Sequence, residues 1–96
     1  MSHKMRVSEH AQQNFRERWE DAKCMSPDAI TALLRAHIEL SRKAKQYAMT
    51  PGGLYFFIHP FGRDGYAVVS ADNYVKTVLL AEWCLEVTRF LESKAA

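Results

Sequence analysis

Three polar side chains recur at helical spacing near the start of the chain. His10, Asn14 and Arg18 stand at i, i+4 and i+8, so a helix would carry them in one row. An imidazole titrates near neutral pH, and a guanidinium offers forked donors to a phosphate or a carboxylate. The row therefore places three polar groups on the same side of the helix.

The segment that carries this row resembles a known sequence pattern. It reads HAQQNFRER and is similar to the HA-x-x-R-F-x-x-R opening of a family of small bacterial and phage domains, which is grouped with RelE-like, barnase-like and EndoU-like ribonuclease toxins. The likeness extends over about residues 5 to 80, through a helix that opens with Ser-Pro-Asp, a meander and a strand with an inward threonine. Asn14 stands where the family has arginine, which removes one phosphate-binding cation.

The resemblance implies a metal-independent ribonuclease or an RNA-binding module that needs no cofactor. Cleavage through attack of the 2′-hydroxyl on the adjacent phosphate requires a base, an acid and cations. The catalytic roles would fall to five residues, namely His10, Arg18, His59, Lys76 and Thr77. RNA contacts would come from a second set, Arg16, Tyr55, Phe57 and Arg63. Alternation along a strand places Tyr55 and Phe57 on the same side as His59, where they could stack a base.

Each of these roles has a purely structural alternative. His10 could simply lie at the surface near a helix start, and Arg16 and Arg18 could pair with acidic side chains along the helix. The aromatic run over residues 54–58 is also typical of a strand that is buried on both faces. The choice between chemistry and packing is therefore left to the geometry.

Motifs for other chemistries are absent from the sequence. The four histidines match no zinc-binding spacing, and no cluster of acidic residues accompanies them. No glycine-rich phosphate loop follows a strand, no GxSxG motif occurs, and neither cysteine has a base beside it. Metal catalysis, nucleotide hydrolysis and serine or cysteine nucleophile chemistry are therefore not expected.

The length and composition favour one domain that spans residues 1–96. Apolar residues make up 48% of the chain and charged residues 25%, as in an average globular protein. The two cysteines lie far apart and the sequence shows no secretory signal, so we expect a cytoplasmic protein. We expect no membrane segment, because every apolar run is much shorter than the ~20 residues that a membrane span needs. Residues 1–63 carry ten Lys/Arg and six Asp/Glu, so a phosphate-bearing partner such as RNA would prefer that part of the chain.

Periodicity predicts the elements that must position these side chains. The expected fold is α+β in the order α-α-β-β-β-α, with two N-terminal helices packed on a three- to four-stranded antiparallel sheet and a C-terminal helix after it. Ser26-Pro27-Asp28 marks the start of the second helix, and the Pro-Gly-Gly at residues 51–53 marks its end. The predicted helices cover about residues 9–23, 27–48 and 80 onward, and the predicted strands cover residues 54–59, 66–71 and 74–79, with an optional edge strand at 5–7.

The C-terminal helix supports a second hypothesis, in which the protein binds another protein and catalyses nothing. Trp83, Phe90 and Leu91 would form an apolar patch too large for a core of this size to absorb, and Trp19 is a further exposed aromatic candidate. Such a module would be a phage-encoded or regulatory inhibitor of a host protein, or it would pair with itself as a homodimer. Convergence of the candidate catalytic residues in one cleft favours chemistry, whereas their dispersal favours binding.

Overall fold

The computed structural model of this chain describes residues 5–95 and confirms the α+β class. The helices are α1 (Glu9–Arg18), α2 (Pro27–Lys43) and α3 (Leu85–Ala95). The strands are β1 (Arg6–Val7), β2 (Tyr47–Thr50), β3 (Gly53–Ile58), β4 (Gly65–Val69) and β5 (Tyr74–Leu80). Short 3₁₀ turns occupy Glu20–Ala22, Pro60–Gly62 and Ala81–Trp83.

The strands form one mixed sheet in the order β1-β5-β4-β3-β2. β1 is the optional edge strand and runs parallel to β5, whereas the other neighbours are antiparallel. The prediction of a three- to four-stranded antiparallel sheet was therefore wrong, because the sheet has five strands and is mixed. β1 has only two residues and β2 only four, so neither provides a readable alternation of polar and apolar side chains.

α2 ends at Lys43, earlier than predicted, because a left-handed residue closes the helix. Lys45 has a φ of 57°, and its amide donates to the carbonyl of Arg42 at 3.2 Å. The amide of Gln46 donates to the carbonyl of Ser41 at 2.8 Å, which completes a Schellman motif. Glycine usually holds the left-handed position, so a lysine there provides no sequence signal.

The Pro-Gly-Gly segment turns a β-hairpin instead of directly ending the helix. Thr50 pairs with Gly53, which leaves Pro51 and Gly52 as the two central residues of the turn. The hydroxyl of Thr50 accepts a bond from the amide of Gly52 at 3.1 Å and donates to the carbonyl of Gly53 at 2.9 Å. This hairpin adds β2 to the edge of the sheet beside β3.

α1 and α2 share one apolar core with the sheet, and its members include Ala11, Phe15, Ile30, Leu34, Ile38, Phe56, Val69 and Val78. α1 ends at Arg18, earlier than predicted, because Trp19 is extended, with φ −113° and ψ 109°. The indole is turned inward, so that Trp19 is 1% exposed and its Nε1 donates to the carbonyl of Arg63 at 3.1 Å. The expectation that Trp19 is exposed was therefore wrong.

α3 packs on the opposite face of the sheet. The Cα of Gly65 in β4 closely approaches the ring of Trp19 on the α1 side, so the next residue, Tyr66, points to the other face. There its hydroxyl is hydrogen bonded to the hydroxyl of Thr88 in α3 at 2.7 Å. α3 begins at Leu85, later than predicted, because a 3₁₀ turn follows β5. Among residues 5–95, none of the helices has the length and apolar character that crossing a membrane requires.

Candidate active site

A histidine and an aspartate lie side by side where the chain passes from β3 to β4. The Nδ1 of His59 donates to the Oδ1 of Asp64, and both side chains are about half exposed. A carboxylate at Nδ1 holds the imidazole ring in one orientation and leaves Nε2 as the proton acceptor. His59 and Asp64, called the dyad below, therefore have a geometry suited to proton transfer.

The strand register explains why these two residues meet. Ile58 pairs with Gly65 at the end of the antiparallel ladder, so His59 and Asp64 are the next residues on either side. The loop between them folds back through a 3₁₀ turn. Sequence reasoning selected His59 and missed Asp64, although the short HPFGRD loop between two strands was a signal that the two ends of the loop are close.

The dyad lies beside a cavity of about 500 Å³ between α3, the end of α2 and the sheet. Asp64 lines this cavity together with Phe57, whose ring is stacked on that of His59 with the centroids 6.3 Å apart. Other walls come from Lys45, Tyr66, Thr88, Leu91, Glu92 and Lys94. The volume falls within the range of about 300–1,000 Å³ that is usual for small-molecule sites.

Two side chains beside the dyad have shifted pKa values. Burial, reinforced by the nearby His59, lowers the pKa of His37 in α2. The Nδ1 of His37 accepts a bond from the backbone amide of His59 at 3.5 Å, so a neutral His37 supports the position of the loop. Burial also raises the pKa of Tyr66, although its bond with Thr88 acts in the opposite direction. Tyr66 therefore presents a neutral hydroxyl near pH 7.

Two members of the polar row that was predicted on α1, Asn14 and Arg18, face β5. Thr77 donates from its Oγ1 to the Oδ1 of Asn14 at 2.6 Å, and the guanidinium of Arg18 donates to the carbonyl of Val78. β1 pairs with only the first residues of β5, so these side chains cover part of the remaining edge of that strand. The structure thus brings Arg18 and Thr77 to one seam between α1 and β5, in contacts that hold the helix on the sheet.

His10 lies at the opposite end of this seam from the dyad. α1 begins beside Lys76 in β5. His59 follows β3, which is two strands away from β5. Along the strands, His59 lies one residue past the level at which Gly65 pairs with Leu80. Strand geometry separates these two points by about 17 Å along the sheet and about 10 Å across it. The structure therefore does not gather His10 and His59 in one cleft, and His10 is exposed on the first turn of α1.

Arg18 and Arg63 lie together at the C-terminal end of α1. The Nη1 of Arg63 donates to the carbonyl of Arg18 at 2.7 Å, and its Nη2 lies 3.6 Å from a carboxylate oxygen of Glu82. The guanidinium of Arg18 lies over the ring of Trp83, 4.8 Å from its centroid. Arg63 directly precedes Asp64 in the chain, but its guanidinium is directed toward the end of α1 and toward Glu82.

Three other predicted residues lie elsewhere. Arg16 donates from Nε and Nη2 to the carbonyl of Met25, both at 3.2 Å, and so supports the connection between α1 and α2. The ammonium group of Lys76 donates to the carbonyl of Gly52 at 3.0 Å, which directs it toward the β2–β3 hairpin. Tyr55 lines a separate cavity of about 550 Å³ at the start of α3.

The candidate interface residues are divided between two sides of the C-terminal segment. Trp83 belongs to the 3₁₀ turn before α3, and Phe90 lies on the outer side of α3. Leu91 instead lines the cavity beside the dyad. Leu91 therefore faces the sheet, whereas Trp83 and Phe90 face solvent.

Within residues 5–95, no group of three or more His, Cys, Asp or Glu side chains is placed to hold a metal ion. Comparison with known proteins found no matching family model, curated protein or solved structure. The candidate site is therefore defined by its own geometry, which consists of a His–Asp dyad and a cavity with aromatic and charged walls.

Proposed function

We propose that this chain is a small RNA-binding protein that cleaves RNA without a metal ion, in the manner of the ribonuclease toxins that its N-terminal motif resembles. The observation that carries the proposal is the His59–Asp64 dyad beside the cavity. Phe57 adds a ring on which a base can stack, and we assign phosphate binding to Arg18 and Arg63, the second of which directly precedes Asp64 in the chain.

His59 is the general base in this proposal. Its Nε2 takes the proton of a 2′-hydroxyl, whose oxygen then forms a bond to the adjacent phosphorus. The bond from that phosphorus to the 5′-oxygen breaks, and the 5′-oxygen takes a proton from water. Asp64 stabilises the protonated imidazole, and the arginines stabilise the negative charge on the phosphorane. The products are a 2′,3′-cyclic phosphate and a 5′-hydroxyl end.

The direct test is cleavage of a labelled single-stranded RNA in the presence of EDTA. We expect His59→Ala to lower the rate by about 10²- to 10⁴-fold, which is the usual contribution of a proton-transfer group. Asp64→Asn should lower the rate less, because the imidazole is retained. Unfolding curves of both variants serve as the control for intact folding.

His10→Ala and Arg18→Ala distinguish the dyad from the polar row on α1. Loss of cleavage in His10→Ala, with full activity in His59→Ala, would place the chemistry in the α1–β5 seam. Loss of wild-type cleavage in EDTA would contradict the metal-free mechanism. If the wild type neither cleaves RNA nor binds it in a salt-dependent way, the proposal as a whole is refuted.

A second candidate function is association with another protein through the outer side of α3. The observation that favours it is the 53% exposure of Phe90 on that side, with Trp83 and Leu85, each 56% exposed, at the second cavity by the start of α3. A second copy of the chain is the partner we propose, because small oligomers are most often twofold dimers. A non-catalytic inhibitor of a host protein would use the same surface.

Light scattering tests this association. We expect a dimer that Phe90→Glu converts to a monomer, because a carboxylate at the centre of an apolar interface loses its hydration. Ala32→Glu adds the same charge at an exposed position of α2, away from α3, and should leave the dimer intact. A monomeric wild type would rule out the dimer, and host-protein binding that survives Phe90→Glu would rule out this surface.

A further inference from the structure

We infer that the cavity beside Phe57 is a subsite for one unpaired ribonucleotide, whose base lies against Phe57 and whose phosphate binds Lys45 and Lys94. The inference rests on the proposed function, because it names the substrate unit that the dyad receives. The ligand class is a nucleoside monophosphate unit of single-stranded RNA.

The aromatic and apolar walls suit a base. The rings of Phe57 and Tyr66 meet edge to face with their centroids 6.0 Å apart, and the bond between Tyr66 and Thr88 fixes the sheet to α3 at the cavity. Leu91 adds an apolar wall from α3. A planar base gains stacking contacts on such a surface regardless of its sequence identity.

Two lysines line the same cavity, and their positive charge suits a phosphate. Lys45 follows α2, and Lys94 belongs to the last turn of α3. The Nζ of Lys94 donates to the carbonyl of Lys45 at 3.1 Å, so the two helix ends are joined at this point. Lys43 in the last turn of α2 adds a further cation for an RNA backbone, whereas Arg42 pairs with Glu39 and lies over the ring of Phe56.

The acidic side chains of the cavity limit where a phosphate can bind. Asp64 is bonded to His59, which reduces its effect on a nearby anion. Glu92 is the other carboxylate among the lining residues, and it opposes the attraction of Lys45 and Lys94 for a phosphate. Neutralisation of Glu92 should therefore strengthen phosphate binding, whereas neutralisation of Lys45 or Lys94 should weaken it.

The walls also select the form of the RNA. α3 closes the cavity on one side and the sheet closes it on the other, and its volume is about 500 Å³. A small-molecule site of this size accommodates one nucleoside. A base that remains paired could enter only together with its partner base, for which the cavity has no room. The subsite therefore accepts an unpaired nucleotide and excludes a duplex.

The experiment compares adenosine 3′-monophosphate, adenosine and inorganic phosphate as probes in NMR titrations of the full chain. We expect the nucleotide to bind more tightly than adenosine or phosphate. Lys45→Gln and Lys94→Gln should each weaken nucleotide binding about fivefold at low salt and leave adenosine binding unchanged. Glu92→Gln should tighten nucleotide binding. Lys94→Arg retains the positive charge and should therefore keep most of the wild-type affinity for the nucleotide.

Lys23→Gln is the matched control, because Lys23 is an exposed lysine that pairs with Glu20 on the 3₁₀ turn after α1. Equal affinities for the nucleotide and adenosine, an equal loss in Lys23→Gln, or equal binding of duplex and single-stranded RNA would overturn the inference. If cleavage depends on His59 but nucleotide binding is the same in Lys45→Gln and Lys94→Gln as in the wild type, the subsite is refuted and the proposed function is retained. If the nucleotide binds as expected but the protein cleaves no RNA, the catalytic proposal is refuted and the subsite is retained.

Discussion

Asn14 is a packing residue at the position where the sequence resemblance would place an arginine. It is 6% exposed, and its Oδ1 accepts the hydroxyl of Thr77 at 2.6 Å. A charged side chain is costly at a buried position unless it is paired, whereas an amide can be satisfied by a single hydroxyl and nearby backbone groups. Asn14 and Thr77 therefore form a polar link between α1 and β5.

Thr77→Val should lower the free energy of unfolding by about 1–3 kcal/mol, because Asn14 would retain a buried acceptor without its donor. Combining Thr77→Val with Asn14→Leu should recover part of this loss, since both polar partners are then replaced. Urea unfolding of the wild type, the two single variants and the double variant measures the coupling. Purely additive losses would show that the two side chains do not interact.

At the scale of elements, the N-terminal caps of α1 and α2 are similar in local geometry and different in burial. The hydroxyl of Ser8 accepts the amide of Ala11 at 2.9 Å, and the hydroxyl of Ser26 accepts that of Ala29 at 3.1 Å. Ser8 also donates to the carbonyl of Lys76 at 3.2 Å and is buried, whereas Ser26 is exposed. Ser8 therefore joins α1 to β5 in addition to starting the helix.

We expect Ser26→Ala to destabilise the fold by about 1 kcal/mol, as is usual for loss of a helix cap. Ser8→Ala should cost about 2 kcal/mol, because the carbonyl of Lys76 also loses a donor. Chemical denaturation of the two variants against the wild type provides the comparison. An equal loss for both would mean that the bond to β5 contributes nothing measurable.

At the scale of the whole molecule, His37 links the helical layer to the loop that carries the dyad. Its pKa lies below the usual value of 6.5, chiefly because of burial and secondly because of His59. The unfolded chain therefore binds a proton at a higher pH than the folded protein does. Between those two pKa values the unfolded state holds more protons, so the free energy of unfolding decreases as the pH falls.

Stability should accordingly decline as the pH is lowered from about 7.5 through the usual pKa of histidine, and this decline should level off below the folded pKa of His37. His37→Gln, which cannot take up a proton, should show a shallower decline over the same range. Thermal or urea unfolding across this pH series measures the difference. Identical pH profiles for the two proteins would contradict the assigned role of His37.

Local patterns in the sequence determined the starts of α1 and α2, the helical apolar stripes and the approximate position of three strands. Ser8 and Ser26 cap α1 and α2 as their side chains predict, and Phe15 and Ile38 are buried as helical spacing predicts. These features depend on neighbouring residues along the chain, through side-chain periodicity and hydrogen bonds within one turn. Alternation likewise placed Phe57 beside His59.

Only the tertiary structure decided the parts that depend on distant pairing. β1 becomes a strand by pairing with β5, and α2 stops at a left-handed Lys45 that local propensity does not reveal. Asp64 meets His59 because the register of β3 and β4 brings the two loop ends together. The cavity arises because α3 covers the second face of the sheet, a contact that α3's own periodicity does not specify. Register and layer order are set by burial and backbone pairing summed over the whole chain, which no short segment contains.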